Sequence, residues 1–333
     1  MRVRILGAGL IGLSCADELQ RRGHRVTVVD PSPASGASWA AAGMLSPAGE
    51  AWHGEGALFD LGLRSRSLWR EYADRLGVHL HETGTLLVGV DRGDLQQVER
   101  RAALLDRHGL AVELLGRREL LRLEPTLTPR VAGGALLPDD HSVDPRAVLG
   151  VLLDRHAVVE RSPSSYDVTV LATGAHLPEP FAHLVRGVRG EIVRAVSDDP
   201  PSRTVRAEVR GEPVYVVPRR GGEVVIGATS EEHDTEPRPT VGGVSRLLLA
   251  ARELMPGLER AELTEAIARD RPGTPDNLPL VGPSGQDGVV LAAGHFRHGV
   301  LLAPLTAELV ADHLETGRVE PAVDPRRLVR SHA

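Results

Sequence analysis

Apolar and polar positions divide the chain into short buried-type strands and amphipathic helices. Val3 to Leu6 is an apolar run of buried-strand type. Gly7-Ala8-Gly9-Leu10-Ile11-Gly12 follows, and Leu10, Leu13, Ala16 and Leu19 keep a helical period as far as Arg22. Gly23 stops that helix as a C′ glycine does. Arg25 to Val29 is a second apolar strand, closed by Asp30. The first thirty residues therefore predict a strand, glycine turn, helix, strand unit.

Beyond it lies a tract of small residues, Gly36-Ala37-Ser38-Trp39-Ala40-Ala41-Ala42-Gly43-Met44-Leu45. The pattern then predicts helices over Ala57 to Leu76 and Gly93 to His108, with strands at Thr85 to Val90 and Gly133 to Leu137. Asp144-Pro145 opens another helix, with Asp144 as N-cap and Pro145 in the first turn. Tyr166 to Ala172 reads as a buried strand ending in Thr173-Gly174-Ala175. Strands are also expected at Gly190 to Val196, Val214 to Val217 and Val224 to Ala228. The last two form a hairpin around Arg219-Arg220-Gly221-Gly222. Thr240 to Leu254 is helical, Val289 to Ala293 is a final buried strand, and Gly299 to Leu314 is a closing helix.

Composition removes several chemistries. The 333 residues carry a formal charge of −6, with 41% hydrophobic and 25% charged residues, so a packed globular protein is expected. A pI near 6.2 argues against a general nucleic-acid footprint, and no apolar run is long enough for a membrane span. The chain runs from Met1 directly into a strand, without a signal-peptide pattern, and a cytoplasmic location is expected. All 39 basic residues are arginine, which excludes lysine Schiff bases, lysine-bound pyridoxal phosphate and a Walker P-loop. Cys15 is the single cysteine, so no internal disulfide and no cysteine zinc site can form, and no metal is expected.

Three stretches carry candidate chemistry. Gly7-x-Gly9-x-x-Gly12 follows a strand, opens a helix, and has Asp30 18 residues beyond Gly12. Glycines let the backbone approach a pyrophosphate, whose charge meets the helix N-terminus, and the acid takes ribose hydroxyls. This motif alone does not distinguish FAD from NAD. The tract Ser38 to Leu45 lets backbone amides lie against a flat or anionic ligand. Gly294-His295-Phe296-Arg297-His298-Gly299-Val300-Leu301 follows the last strand and opens the closing helix, whose free N–H groups suit the pyrimidine edge of a reduced flavin.

At these places the chain resembles the D-amino-acid oxidase superfamily of FAD enzymes, and within it the thiamine-biosynthetic glycine oxidases. The resemblance rests on Ala41-Ala42-Gly43-Met44-Leu45, Val214-Tyr215-Val216-Val217-Pro218-Arg219, Ile226-Gly227-Ala228-Thr229, Arg271-Pro272-Gly273-Thr274-Pro275-Asp276 and Gly294 to Gly299, in family order over nearly the whole chain. It implies an α/β fold. A discontinuous FAD-binding Rossmann-type domain, residues 1–77, 141–182 and 277–333, would join a mixed-sheet substrate domain, residues 78–140 and 183–276. It implies that Gly7, Gly9, Leu10, Ile11, Gly12, Asp30, Pro31, Ala37, Ser38, Ala42, Gly43 and Met44 line FAD, held non-covalently. His295, Phe296, Arg297, His298, Gly299, Val300 and Leu301 would cover its pyrimidine edge.

The same resemblance implies that Arg271 holds a substrate carboxylate, that Tyr215 hydrogen-bonds to it and that Arg297 sits over the substrate. A planar guanidinium suits a carboxylate because it binds in bidentate fashion. Tyr215 also fits core packing, and Arg297 a structural clamp on its own loop. No protein general base is assigned.

Three departures stand out. Ser230 occupies the place of a methionine in the better-known glycine oxidases. Ala268-Arg269-Asp270-Arg271 is more charged than the usual pattern. Ala157 to Tyr166 is short where the superfamily covers the adenine end of FAD. A hairpin pairing Pro218 with Glu223 would put Ile226, Ala228 and Ser230 on the Tyr215 face, making Ser230 a specificity residue.

The expected function is FAD-dependent oxidative deamination of glycine or a similarly small amino acid. The products would be the 2-oxo acid (glyoxylate), ammonia and hydrogen peroxide, supplying thiazole synthesis for thiamine. A related flavin amine oxidase or dehydrogenase acting on small D-amino acids or sarcosine is the alternative. An NAD-dependent dehydrogenase or a non-catalytic flavoprotein are alternatives of another class. The expected partners are a small amino acid and oxygen, with no nucleic acid and no membrane; a homo-oligomer is left open.

Overall fold

The computed structural model describes residues 1–51, 54–162, 165–233 and 235–329. Of the short stretch Ala157 to Tyr166, Pro163 and Ser164 lie outside the described residues. Two large sheets face one another across a long cavity. The first has six strands in the order Leu280–Pro283, Val289–Ala293, Val168–Leu171, Arg2–Leu6, Arg25–Val29, Val158–Val159. All neighbours run parallel except the edge strand Leu280–Pro283. A parallel pair needs a crossover, and the helix Leu10–Arg21 supplies the first one. Val3 and Ile5 on the strand and Leu13, Ala16 and Leu19 on the helix are fully buried in one core with the helix Ala303–Thr316.

Gly7 has a φ of 106°, and a Cβ there would lie 2.3 Å from the Ala172 carbonyl oxygen. At Gly12 a Cβ would lie 2.0 Å from the Gly7 carbonyl oxygen. Neither position tolerates a side chain, because helix and strand touch backbone to backbone there.

The closing helix begins later than the sequence pattern predicts. It spans Ala303–Thr316, with Leu302 as N-cap. Pro304 sets that boundary: proline lacks the N–H that an interior helical position donates and is accommodated in the first turn. Residues Phe296–His298 instead form a 3₁₀ turn.

The second sheet has eight strands, ordered Glu262–Gly273, Arg186–Val196, Glu223–Gly227, Glu212–Pro218, Thr204–Val209, Thr85–Gly89, Gly133–Leu137, Glu113–Gly116. Along its central strands successive side chains face two different environments. Val193, Val216, Val224 and Ile226 pack against Leu247, Ala251 and Leu254 of the helix Val241–Leu254. Ile192, Val217 and Val225 turn the other way, toward Ala40 and Ala42. A small sheet of Met44–Leu45, His141–Val143 and Leu80–His81 adds a further three strands.

The hairpin register corrects one expectation. Its loop has three residues, not four: the Arg219 N–H donates to the Glu223 carbonyl, and Gly221 and Gly222 turn the chain with φ of 73° and 81°. Tyr215 is therefore opposite Gly227, and Val216 opposite Ile226. A one-residue shift exchanges the two faces of a strand. Ile226 thus faces the helix Val241–Leu254, away from Tyr215.

Candidate active site

A cavity of about 820 Å³ runs between the two sheets, at the upper end of the size usual for ligand sites. Near the start of the helix Leu10–Arg21 it is lined by Gly7, Gly9, Leu10, Ile11, Asp30, Pro31, Ala37 and Ser38. Ser38 Oγ accepts a hydrogen bond from the Leu10 N–H at 3.0 Å, while the N-cap Gly9 contributes no side chain. Asp30 Oδ2 accepts from the Ala8 N–H at 2.7 Å and Oδ1 from the Ser32 N–H at 2.8 Å. One carboxylate thus fixes both turns, and each oxygen keeps a second lone pair. Gly12 does not line the cavity; its role is the close helix packing described above.

The middle of the cavity is bordered by Ala42, Gly43 and Met44. Gly43 has a φ of 72°, and a Cβ there would sit 2.0 Å from the Val143 carbonyl oxygen. His295, Phe296, Arg297, His298, Gly299, Val300 and Leu301, in the turn that follows the strand Val289–Ala293, line it as well. His295 Nε2 lies 2.8 Å from Thr306 Oγ1, and burial drives this imidazole down to a pKa of about 3, so it is neutral. His298 Nε2 is buried without a hydrogen-bond partner among the described residues. The side-chain-poor walls, a helix start whose N-cap Gly9 brings no side chain and this unsatisfied nitrogen fit a dinucleotide with a flat ring system.

At the far end stand Tyr215 and Arg271. Arg271 projects from the strand Glu262–Gly273, where it pairs with Val188. Its Nη1 donates to the Thr229 carbonyl at 3.1 Å. No carboxylate of a described residue lies within 4.0 Å of it. Burial lowers its pKa, yet it remains a cation.

Two glycines make room for this pair. A Cβ on Gly190 would meet Arg271 Nη1 and Nη2 at 2.3 Å, and one on Gly227 would meet the Tyr215 hydroxyl at 2.3 Å. Burial raises the Tyr215 pKa, so the phenol stays protonated and can donate.

Glu50 also lines the cavity, and no sequence signal marks it. It follows Ala48 and Gly49, whose N–H groups donate to the Asp140 carboxylate at 3.3 and 2.7 Å; burial raises the Asp140 pKa to about 6. Glu50 Oε1 is 2.5 Å from Arg206 Nη1, and Oε2 is 3.6 Å from Arg297 Nη1. Burial pushes the Glu50 pKa up, but Arg206, Arg297 and His298 outweigh it and hold the carboxyl at about 2. Arg206 sits directly across from Tyr215 on the neighbouring strand.

Ser230 is not part of the site. It is exposed, lies beyond the end of its strand and does not line the cavity. Ser230→Met is accordingly expected to leave the ratio of kcat/KM for D-alanine to that for glycine unchanged. A fall in that ratio would restore Ser230 to the specificity argument.

A largely parallel sheet with a glycine turn at the centre of its strand order defines the dinucleotide-binding class of α/β proteins. The chain belongs to the FAD dependent oxidoreductase family, whose profile matches residues 2–157 and 148–313. FAD is its cofactor.

A putative thiamine biosynthesis oxidoreductase ThiO of Rhizobium etli is 35% identical over 96% of this chain and 98% of its own length. The bifunctional protein ThiO/ThiG of Trichormus variabilis is 33% identical over 95% of this chain, which spans about half of that relative (53%). The crystal structure of glycine oxidase from Geobacillus kaustophilus superposes with a TM-score of 0.88 at 32% identity, covering 97% of this chain and 96% of that one. Among the described residues no helix is long and apolar enough to cross a membrane.

Proposed function

We propose that the protein oxidatively deaminates glycine or a similarly small amino acid. The products are the 2-oxo acid (glyoxylate from glycine), ammonia and hydrogen peroxide, with oxygen as the final acceptor. The observation that carries this reading is Arg271, a guanidinium facing the cavity with a backbone carbonyl as its hydrogen-bond partner and no carboxylate of a described residue within 4.0 Å. A small amino acid supplies the missing anion. Arg271 holds it in bidentate fashion and the Tyr215 hydroxyl donates to it.

FAD supplies the two-electron acceptor for the hydride leaving Cα, and the protein's contribution is orientation. Gly7, Gly9, Leu10, Ile11, Asp30, Pro31, Ala37 and Ser38 would hold its adenosine and pyrophosphate part, and Ala42, Gly43, Met44 and His295 to Leu301 its flavin ring. The attachment is non-covalent, and a cysteinyl link in particular has no thiol to form it, because Cys15, the one thiol, is buried within the first helix. Residues 1–77, 141–182 and 277–333 form the FAD domain, and 78–140 with 183–276 the substrate domain. The name of the Rhizobium etli relative supports a role in thiamine biosynthesis, which we read as supply of the thiazole by a protein of the cytoplasm.

An anaerobic panel of amino acids with flavin bleaching as readout tests this. Glycine, sarcosine, D-alanine and D-proline should bleach the flavin and larger L-amino acids should not. Bleaching by none of the small amino acids would overturn the reading.

A further inference from the structure

We propose that Glu50 recognises the amino group of the substrate, taking it by an exchange of partners with Arg297. The proposal rests on Arg271 as the carboxylate site. Glu50 is not held evenly. Its Oε1 is 2.5 Å from Arg206. Its Oε2 faces Arg297 at 3.6 Å, beyond ordinary hydrogen-bond length. The Arg297 side chain is 44% exposed, and its guanidinium lies 5.2 Å from the Phe296 ring. Oε2 therefore has a loose partner that a better donor can displace.

The charges around the cavity favour one kind of ligand. A pocket carrying only Arg271 and Arg297 would take any small carboxylate. Glu50 sets a carboxylate against that anion and offers an acceptor to a cation on the same molecule. A zwitterion answers both. Its carboxylate draws Arg297 toward Arg271, and its ammonium replaces Arg297 at Glu50 Oε2. Every charge then has a partner: Arg271 and Arg297 the carboxylate, Glu50 the ammonium and Arg206. An acceptor-only carboxylate also serves the neutral amine, which keeps two N–H donors after its third proton has gone to water. Asp140, which grips the Ala48 and Gly49 N–H groups, fixes the position of Glu50.

The test compares glycine with acetate, which lacks the amino group, and with it the nitrogen lone pair that drives hydride loss, and so leaves the flavin oxidised. In the FAD-bound enzyme the dissociation constant of acetate comes from titration of the flavin spectrum, and that of glycine from the concentration dependence of the rate of anaerobic flavin reduction. Glu50→Gln should weaken glycine at least about tenfold while acetate binds as well as before or better, because Arg297 is released. Arg297→Met should move the ratio the other way, weakening acetate more than glycine. Parallel changes for both ligands in Glu50→Gln would overturn the proposal. Should Glu50→Gln lose its flavin, Arg297→Met decides, and an unchanged ratio there overturns it equally. Acetate binding that survives Arg271→Ala would instead overturn the carboxylate site, and this proposal with it.

Discussion

Arg271→Ala should weaken acetate and glycine by roughly a hundred- to several-thousand-fold while the protein keeps its full complement of FAD. The reason lies in what Arg271 touches. Its hydrogen bond goes to the Thr229 carbonyl, and the cavity side of the guanidinium waits for an anion. Losing one member of a desolvated charge pair costs about 3–5 kcal/mol, which gives the range above. The free protein surrenders one hydrogen bond, worth about 1 kcal/mol, and is relieved of an unpaired charge, so the temperature of flavin release should hardly move. Spectral titration with acetate and the flavin-to-protein absorbance ratio check both halves. Unchanged affinity for both ligands would remove Arg271 from the site.

The nucleotide half of the molecule was legible because its residues are dictated by local backbone contacts. Gly7 and Gly12 stand where a Cβ would strike a carbonyl oxygen, and the apolar runs beside them have nothing to do but pack. The substrate half was less so. The strand Thr204–Val209 places Arg206 at an inward position, and the strand Glu262–Gly273 carries Glu265, Arg269, Asp270 and Arg271. These polar residues blur the alternation by which a strand is recognised, and some of them line the cavity.

Glu50 gave no signal, since it lies in an irregular stretch and its partner Arg206 comes from a distant strand. Ser230 was misplaced by a single residue of loop length. Side chains alternate with period two, so one residue of shift puts Gly227 and not Ile226 opposite Tyr215 and exchanges the faces of all that follows.

Gly190→Ala and Gly227→Ala should each lower kcat/KM for glycine by about a hundredfold without changing FAD content. Both glycines lie on the cavity face of the eight-stranded sheet, and neither is needed for a turn. Gly190 is inside the strand Arg186–Val196, and Gly227 is the strand partner of Tyr215. An added methyl on either would sit 2.3 Å from a polar atom of the clamp, Arg271 Nη1 and Nη2 in one case and the Tyr215 hydroxyl in the other. Contacts that short do not persist, so the arginine or the tyrosine must swing away. A displacement near 1 Å at a positioning group costs on the order of a hundredfold in rate. The two substitutions should differ in kind. Gly190→Ala moves the cation and should raise the dissociation constant of acetate. Gly227→Ala moves a hydrogen-bond donor and should weaken acetate less, because a neutral donor contributes less than a charged one. Full activity with alanine at both positions would mean that Arg271 and Tyr215 do not hold the substrate.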